Sequence, residues 1–305
     1  MEFSIGLDSP FNLEYTLESG QVFRWENRGE WWYGILREGM VKVRQDGPSL
    51  ACSSSSDALD ASCIRRYFRL DEDLRTVLGG MEHDPTLAAA VQRFYGMRLV
   101  RQDFWECLAS FILATNSNIP RIRSMVAAVS GRFGRPADFE GVAFRSFPDA
   151  ETLAGASVAD LMGCGLGYRA PYLRKVAAAV SGGAVDHDQL SFMEYEAAHS
   201  ALLRVLRGEK LLLGVGPKVA DCVLLYSCGK DEAFPIDVWI ARELARSFPG
   251  LVSRAIGRKL EAARPRLSRG EYAALSAAAR ARFGRYAGYA QQYLFMLSRE
   301  RGPVA

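Results

Sequence analysis

The chain has 305 residues, of which 49% are apolar and 24% charged, and its formal net charge is +3. These values describe an ordinary soluble globular protein, long enough for two or three subdomains. They argue against a disordered chain, and no apolar run approaches the ~20 residues of a membrane span. Six cysteines, at 52, 63, 107, 164, 222 and 228, are scattered without Cys-x-x-Cys or Cys/His pairing. That spacing speaks against a disulfide framework, a zinc site or a four-cysteine iron–sulfur loop. The scattered thiols fit a reducing compartment, and Met1-Glu-Phe-Ser-Ile-Gly6 does not read as a signal peptide. We therefore expect a cytoplasmic protein of prokaryotic type.

In chain order, Phe23, Trp25, Trp31, Tyr33, Ile35 and Met40-Val-Lys-Val43 alternate with period two. Turn signals fall at Glu26-Asn-Arg-Gly29 and Glu38-Gly39. The pattern predicts an antiparallel meander. Ser53 to Ser56 reads as a loop or the approach to a helix. Helices follow over about 57–68 and 84–95, the second opened by Asp84 as cap and Pro85 in the first turn. From Gln102 onward the pattern is helical almost throughout. Phe104, Leu108, Phe111 and Ile112 share one helix face. Asn116-Ser-Asn118 interrupts it, and Ile119 to Phe133 resumes. Further helices are expected near 149–163, 170–181, 191–208, 217–228, 238–247, 252–264, 269–283 and 285–300. The expected fold is α+β. An N-terminal module with an antiparallel sheet spans 1–95, and a mostly helical body spans 96–305, with a helix–hairpin–helix near 199–228.

Only six of the 38 basic residues are lysines, so a lysine at a helix start suggests a task that arginine cannot do. Lys218 is such a residue, in Leu211-Leu-Leu-Gly214-Val215-Gly216-Pro217-Lys218-Val-Ala-Asp-Cys222. An amine can shed its proton and attack an electrophile, whereas a guanidinium effectively cannot. In the first turn Lys218 faces the positive end of the helix dipole, which favours the neutral amine. Gly214 and Gly216 permit a tight turn and close backbone approach to a ligand. The free amides of the following helix start suit a phosphate. Cys222 lies one turn on from Lys218, on the same face. In Phe234-Pro-Ile-Asp237-Val, Asp237 is a candidate N-cap, and equally a carboxylate to steady positive charge on a sugar or to move protons. From Leu251 to the end, 11 basic residues stand against 3 acidic ones. This is either compositional bias on solvated helix faces or a footprint for phosphates.

With these motifs in order, the chain resembles helix–hairpin–helix GPD DNA glycosylases. More narrowly it resembles the 8-oxoguanine DNA glycosylase/AP lyase type with an N-terminal β-containing domain. The likeness runs from Ser19-Gly-Gln-Val-Phe-Arg-Trp25 to Gly288-Tyr-Ala-Gln-Gln-Tyr-Leu-Phe295. It implies that Lys218 attacks C1′ of the damaged nucleotide, releases the base and forms a Schiff base leading to β-elimination. Asp237 would stabilise the sugar cation. Gly20 would offer its carbonyl to the N7 proton that only the oxidised purine carries. Phe295 and Cys222 would sandwich the base, and Gln291 would read its Watson–Crick edge. Asn116 would fill the gap left by the flipped base, Tyr168 would wedge beside it, and Arg121 and Arg169 would contact the orphaned cytosine.

The resemblance further implies a cation held by backbone carbonyls of Lys210, Leu212 and Val215. That ion would be structural, either monovalent or divalent, and no cofactor is otherwise required. The expected partner is duplex DNA containing 8-oxoguanine, with no membrane, bound by a monomer. Two departures stand out: Leu213 where relatives often have proline, and Trp239 where eukaryotic relatives have histidine. Taken singly these residues have ordinary readings. Asn116 could cap the following helix, and Phe295 could be core. Two alternatives stay open: another damaged base as substrate, or a non-catalytic DNA-binding module.

Overall fold

The computed structural model describes residues 1–36, 39–207, 216–260, 262 and 266–302. Five strands form an antiparallel sheet: β1 (Glu2–Gly6), β2 (Glu26–Arg28), β3 (Trp31–Leu36), β4 (Gly39–Asp46) and β5 (Ser49–Ser54), in the order β1-β5-β4-β3-β2. The expected meander is present, and it is longer at both ends than the alternation predicts. Glu26-Asn-Arg, read as turn, is β2, and Ser53 and Ser54, read as loop, end β5 and pair with Glu2 and Val41. Strand β5 is Ser-Leu-Ala-Cys-Ser-Ser, whose small residues leave no apolar alternation to detect.

One sheet face packs Trp32, Leu36, Val41, Val43, Leu50 and Cys52 into a core with Trp25, Ile64, Tyr67 and Phe68. Trp25 lies against Gly34, where a Cβ would come within 2.7 Å of the indole, so only glycine admits this contact. The indole N–H donates to the Tyr67 hydroxyl at 2.8 Å.

The helical body forms a second, larger core. Residues Leu74 to Met97 belong to it rather than to the sheet core, through the helices Leu74–Gly79 and Pro85–Arg93. The helices predicted at 170–181, 217–228, 238–247 and 269–283 appear as Ala170–Ser181, Pro217–Ser227, Val238–Ser247 and Arg269–Phe283. The last described element is the long helix Ala287–Arg301. Among the described residues, one hairpin interrupts the helices: β6 (Pro136–Phe139) and β7 (Val142–Arg145). Its turn residues Glu140 and Gly141 both have positive φ, at 53° and 75°. Glutamate rarely fills such a position, so the Asn-Gly or Asp-Gly signature is missing. The Glu140 carboxylate is held by Lys42 and by the Ser53 hydroxyl, and Phe144 stacks on Tyr33 at 6.1 Å. The hairpin thus clips the body to the sheet.

Two buried arginines join the cores. The Arg98 guanidinium donates to the carbonyls of Pro10, Arg69 and Glu72. Arg69 meets Asp231 at 2.6 Å and the Leu225 carbonyl at 3.3 Å. These bonds offset most of the cost of burying two charges, although Arg69 Nε and Arg98 Nη2 have no partner among the described residues.

Candidate active site

The helix Pro217–Ser227 is buried from Val219 through Tyr226 and has only its start open. Gly216 precedes it in extended conformation, and Pro217 takes the first helical position, where a missing N–H is harmless. Lys218 is half-buried, with Nζ 4.7 Å from the centre of the Phe111 ring, a cation–π seat. Phe111 in turn stacks on Tyr226, with centroids 5.4 Å apart and planes 13° from parallel.

A second helix start lies within electrostatic reach of the first. Asp237 caps Val238–Ser247, its Oδ1 accepting from the Ile240 N–H at 2.9 Å. Burial pushes this carboxyl above the usual carboxylate range, while the Lys218 charge and the backbone N–H groups pull the other way. Lys218 likewise opposes the rise at Cys222, whose thiol burial pushes up to about 11. Cys222 is 2% exposed. It is therefore a neutral, apolar wall rather than a reactive thiolate. Amine, carboxylate and thiol share one site.

Beneath that site lies a buried carboxylate absent from the sequence reading. Asp221 is fully buried and accepts from the hydroxyls of Tyr195 and Tyr272, each at 2.5 Å. Tyr272 also accepts from the Ile236 N–H at 3.2 Å. The carboxylate thus ties the lysine helix to the segment delivering Asp237. A signal existed, since Asp221 is the one charged residue in an otherwise apolar stretch from Val219 to Leu225.

Of the residues read as base-binding, Gly20 and Phe295 meet directly. Gly20 has φ +81°, and a Cβ there would lie 2.8 Å from Ile119 Cδ1 and 3.4 Å from Phe295 Cε1. The positive φ calls for glycine, and its small size admits the close packing of Ile119 and Phe295. Gln291 lies one turn before Phe295 on the terminal helix; it is 5% exposed, and its Oε1 is buried with no hydrogen-bond partner among the described residues. Buried side-chain acceptors are usually paired, and Gln291 Oε1 is one of several buried polar atoms among the described residues that are not. Sequence reasoning missed Ile119, Phe111, Gln292 and Arg299. Arg299 lies over Phe295 at 5.6 Å and donates to the Glu18 carbonyl.

A third cluster lies at the surface. Asn116 is exposed with φ +48°, and its Nδ2 donates to the Tyr168 hydroxyl at 3.1 Å. That hydroxyl donates to the Thr115 carbonyl. Asn118, not Asn116, caps the helix Ile119–Phe133, so Asn116 has no capping duty. Tyr168 is 46% exposed, and the Arg169 guanidinium lies over its ring at 4.6 Å. Arg169 is buried and directs its donors at the carbonyls of Thr115 and Asn116. Arg121 is exposed, and its charge acts on Arg169. Gly214 and the cation ligands Lys210, Leu212 and Val215 lie outside the described residues.

A two-core body with an amine and a carboxylate at helix starts within electrostatic reach defines the class of the helix–hairpin–helix base-excision proteins. Residues 5–108 match the family of the 8-oxoguanine DNA glycosylase N-terminal domain, and residues 109–251 match that of HhH-GPD superfamily base excision DNA repair proteins. The chain is 31% identical to the probable N-glycosylase/DNA lyase of Methanothermobacter thermautotrophicus, over 96% of this chain and 95% of that protein. It is 31% identical to N-glycosylase/DNA lyase OGG1 of Arabidopsis thaliana, over 93% of this chain and 76% of that protein. Among solved structures, it is similar to the Clostridium acetobutylicum 8-oxoguanine glycosylase/lyase bound to duplex DNA with cytosine opposite 8-oxoguanine. The TM-score there is 0.83 at 26% identity, covering 99% of each chain. The chain belongs to the N-glycosylase/DNA lyase family.

Proposed function

We propose that this protein is a bifunctional glycosylase and lyase that excises 8-oxoguanine opposite cytosine from duplex DNA and then nicks the abasic strand. The observation that carries this reading is the pairing of Lys218 with Asp237 at helix starts within electrostatic reach, in a chain of this family. The Lys218 nitrogen attacks C1′ as the bond from C1′ to the base breaks. Asp237 stabilises the positive charge that develops on the sugar. Loss of a proton and opening of the ring leave an iminium between Lys218 and C1′. Removal of a C2′ proton then expels the 3′ phosphate by β-elimination.

The flipped base is stacked between Phe295 and Cys222 and read by the orphan Oε1 of Gln291. The Gly20 carbonyl accepts the N7 proton of the oxidised purine. A pocket built to accept that proton disfavours guanine, which lacks it. Asn116 and Tyr168 occupy the vacated stack, and Arg121 and Arg169 serve the estranged cytosine, Arg169 by leaving its present carbonyl partners or by holding Asn116 in place. Gly216, just before the lysine helix, leaves room for the phosphate backbone. The protein acts as a monomer in the cytoplasm, where reduced thiols such as Cys107 and Cys222 are stable. None of the described helices is long and apolar enough to cross a membrane.

The test is borohydride trapping on duplex containing 8-oxoguanine:C. The wild type gives a covalent adduct, while Lys218→Gln gives none and loses roughly 10³-fold or more in nicking, as expected on removing a covalent nucleophile. No wild-type adduct would sink the lyase assignment. An adduct in the variant would move the nucleophile elsewhere.

A further inference from the structure

Gly20 has no side chain to fix it, so its carbonyl direction depends on the peptides on either side. Both are anchored by side-chain amides, the first buried and the second partly so. The Ser19 carbonyl accepts from Gln292 Nε2 at 2.9 Å across 273 residues of sequence. The Gln21 carbonyl accepts from Gln102 Nε2 at 2.8 Å. The Gln21 side chain donates to the carbonyls of Thr16 and Arg98 and accepts from the Val100 N–H at 2.9 Å.

Gln292 is 2% exposed, and its orientation has one solution. A carbonyl can only accept, so Nε2 must face Ser19. Oε1 then faces the Tyr226 hydroxyl, which donates to it at 2.5 Å. Burial holds the Tyr226 phenol well above its usual range, so it stays a donor. Tyr226 is also the ring on which Phe111 stacks beneath Lys218.

We propose that Gln292, locked by Tyr226, is a positioning residue that sets the Ser19-Gly20 peptide and thereby the purine-reading carbonyl, without acting in the sugar chemistry. Gln292 is adjacent to Gln291, but it points at the reader segment rather than at the base. The inference rests on the assignment of Gly20 as the reader of 8-oxoguanine. It separates two reactions of one enzyme. Base excision needs the Gly20 carbonyl in place, whereas nicking of a ready-made abasic site has no base to read.

The experiment measures single-turnover excision from 8-oxoguanine:C duplex beside nicking of a preformed abasic duplex, with enzyme in excess. Gln292→Met, which keeps the volume and removes both polar contacts, is expected to slow excision about 10-fold or more, the scale of losing a buried hydrogen bond. Its abasic nicking should stay within about 2-fold of wild type by the same reasoning. Tyr226→Phe keeps the ring stack, removes only the hydroxyl, and should lower excision by a smaller factor. The double variant should be no slower than Gln292→Met, because both changes break one chain of contacts. Equal losses in both reactions, or no loss in excision, would overturn the inference. Should Gln292→Met not fold, Tyr226→Phe decides alone: unchanged excision overturns the proposal. A wild type that nicks abasic duplex and ignores 8-oxoguanine would sink the substrate reading, and this inference with it.

Discussion

The buried pocket around Gly20 and Lys218 and the exposed loop around Asn116 solve one positioning problem in opposite ways. In the pocket, Gln292, Tyr226, Asp221 and Tyr272 are all buried and hydrogen-bonded to one another or to backbone. In the loop, exposed Asn116 and Tyr168 are held chiefly through the carbonyls of Thr115 and Asn116. A buried polar network fixes geometry tightly but is expensive when incomplete. A surface loop can hold a strained residue and still yield when a duplex arrives. On the proposed function, chemistry and base reading fall on the rigid side, and gap-filling on the yielding one. Each prediction below sets one side against the other.

The largest expected effect in this comparison is at Asp237. Asparagine caps a helix as well as aspartate, so Asp237→Asn should keep the fold and DNA affinity. It should slow excision by roughly 10²–10³-fold, the loss typical of removing one electrostatic stabiliser of a transition state. The acid limb of the wild-type pH–rate profile should lie above the usual aspartate range, because burial raises this carboxyl. Activity falls as pH drops through that value and the charge is lost, and the variant should lack the limb. The stability sign is the reverse. A carboxyl raised in the folded state contributes stability below its unfolded value, and that contribution is lost as pH rises through the folded one. The variant should therefore gain Tm relative to wild type as pH rises through this window. Unchanged excision would leave Asp237 a cap alone.

A smaller effect is expected at Phe295, on the pocket's apolar wall. Phe295→Ala removes a stacking surface worth about 1–3 kcal/mol per base, so excision at subsaturating enzyme should fall about 10- to 100-fold. Nicking of abasic duplex, which has no base to stack, should be nearly unaffected. Loss of both reactions together, with a lowered Tm, would make Phe295 a core residue of the terminal helix and nothing more.

What could be read in the sequence follows the same division. Lys218, Asp237 and Cys222 stand in short motifs whose glycine, proline and cap residues announce helix starts, so backbone rules alone place them. The period-two residues of β3 and β4 were equally plain. Strand β5 and the hairpin at Glu140-Gly141 were not, because small residues carry no alternation and a glutamate at positive φ is held by tertiary contacts with Lys42 and Ser53. The pocket's second layer was hidden for another reason. The bond between Gln292 and Ser19 spans 273 residues, and no local pattern distinguishes Gln292 from its neighbour Gln291. The resemblance led to Gln291 but not to the residue beside it, whose role depends on Tyr226 and the Ser19 carbonyl meeting it from other elements. Asn116 and Asn118 show the same limit: either could cap the next helix, and only the folded backbone assigns that task to Asn118.

The smallest effect belongs to Asn116, and it separates backbone from side chain. At φ +48° an alanine carries left-handed strain of about 1–2 kcal/mol, which glycine does not. Asn116→Gly should therefore lose little stability, and Asn116→Ala about 1 kcal/mol more, a difference readable as Tm under matched conditions. Both substitutions delete the amide that meets Tyr168 and, on the proposed reading, the group that fills the vacated stack. Excision should fall by a similar factor in both, despite their unequal stabilities. If activity instead tracked stability, with Asn116→Gly near wild type, the conformation of the loop would be the functional element. The Arg169 bonds to the Thr115 and Asn116 carbonyls would then matter more than the asparagine side chain. The loop would in that case work as the pocket does, by holding a backbone in place.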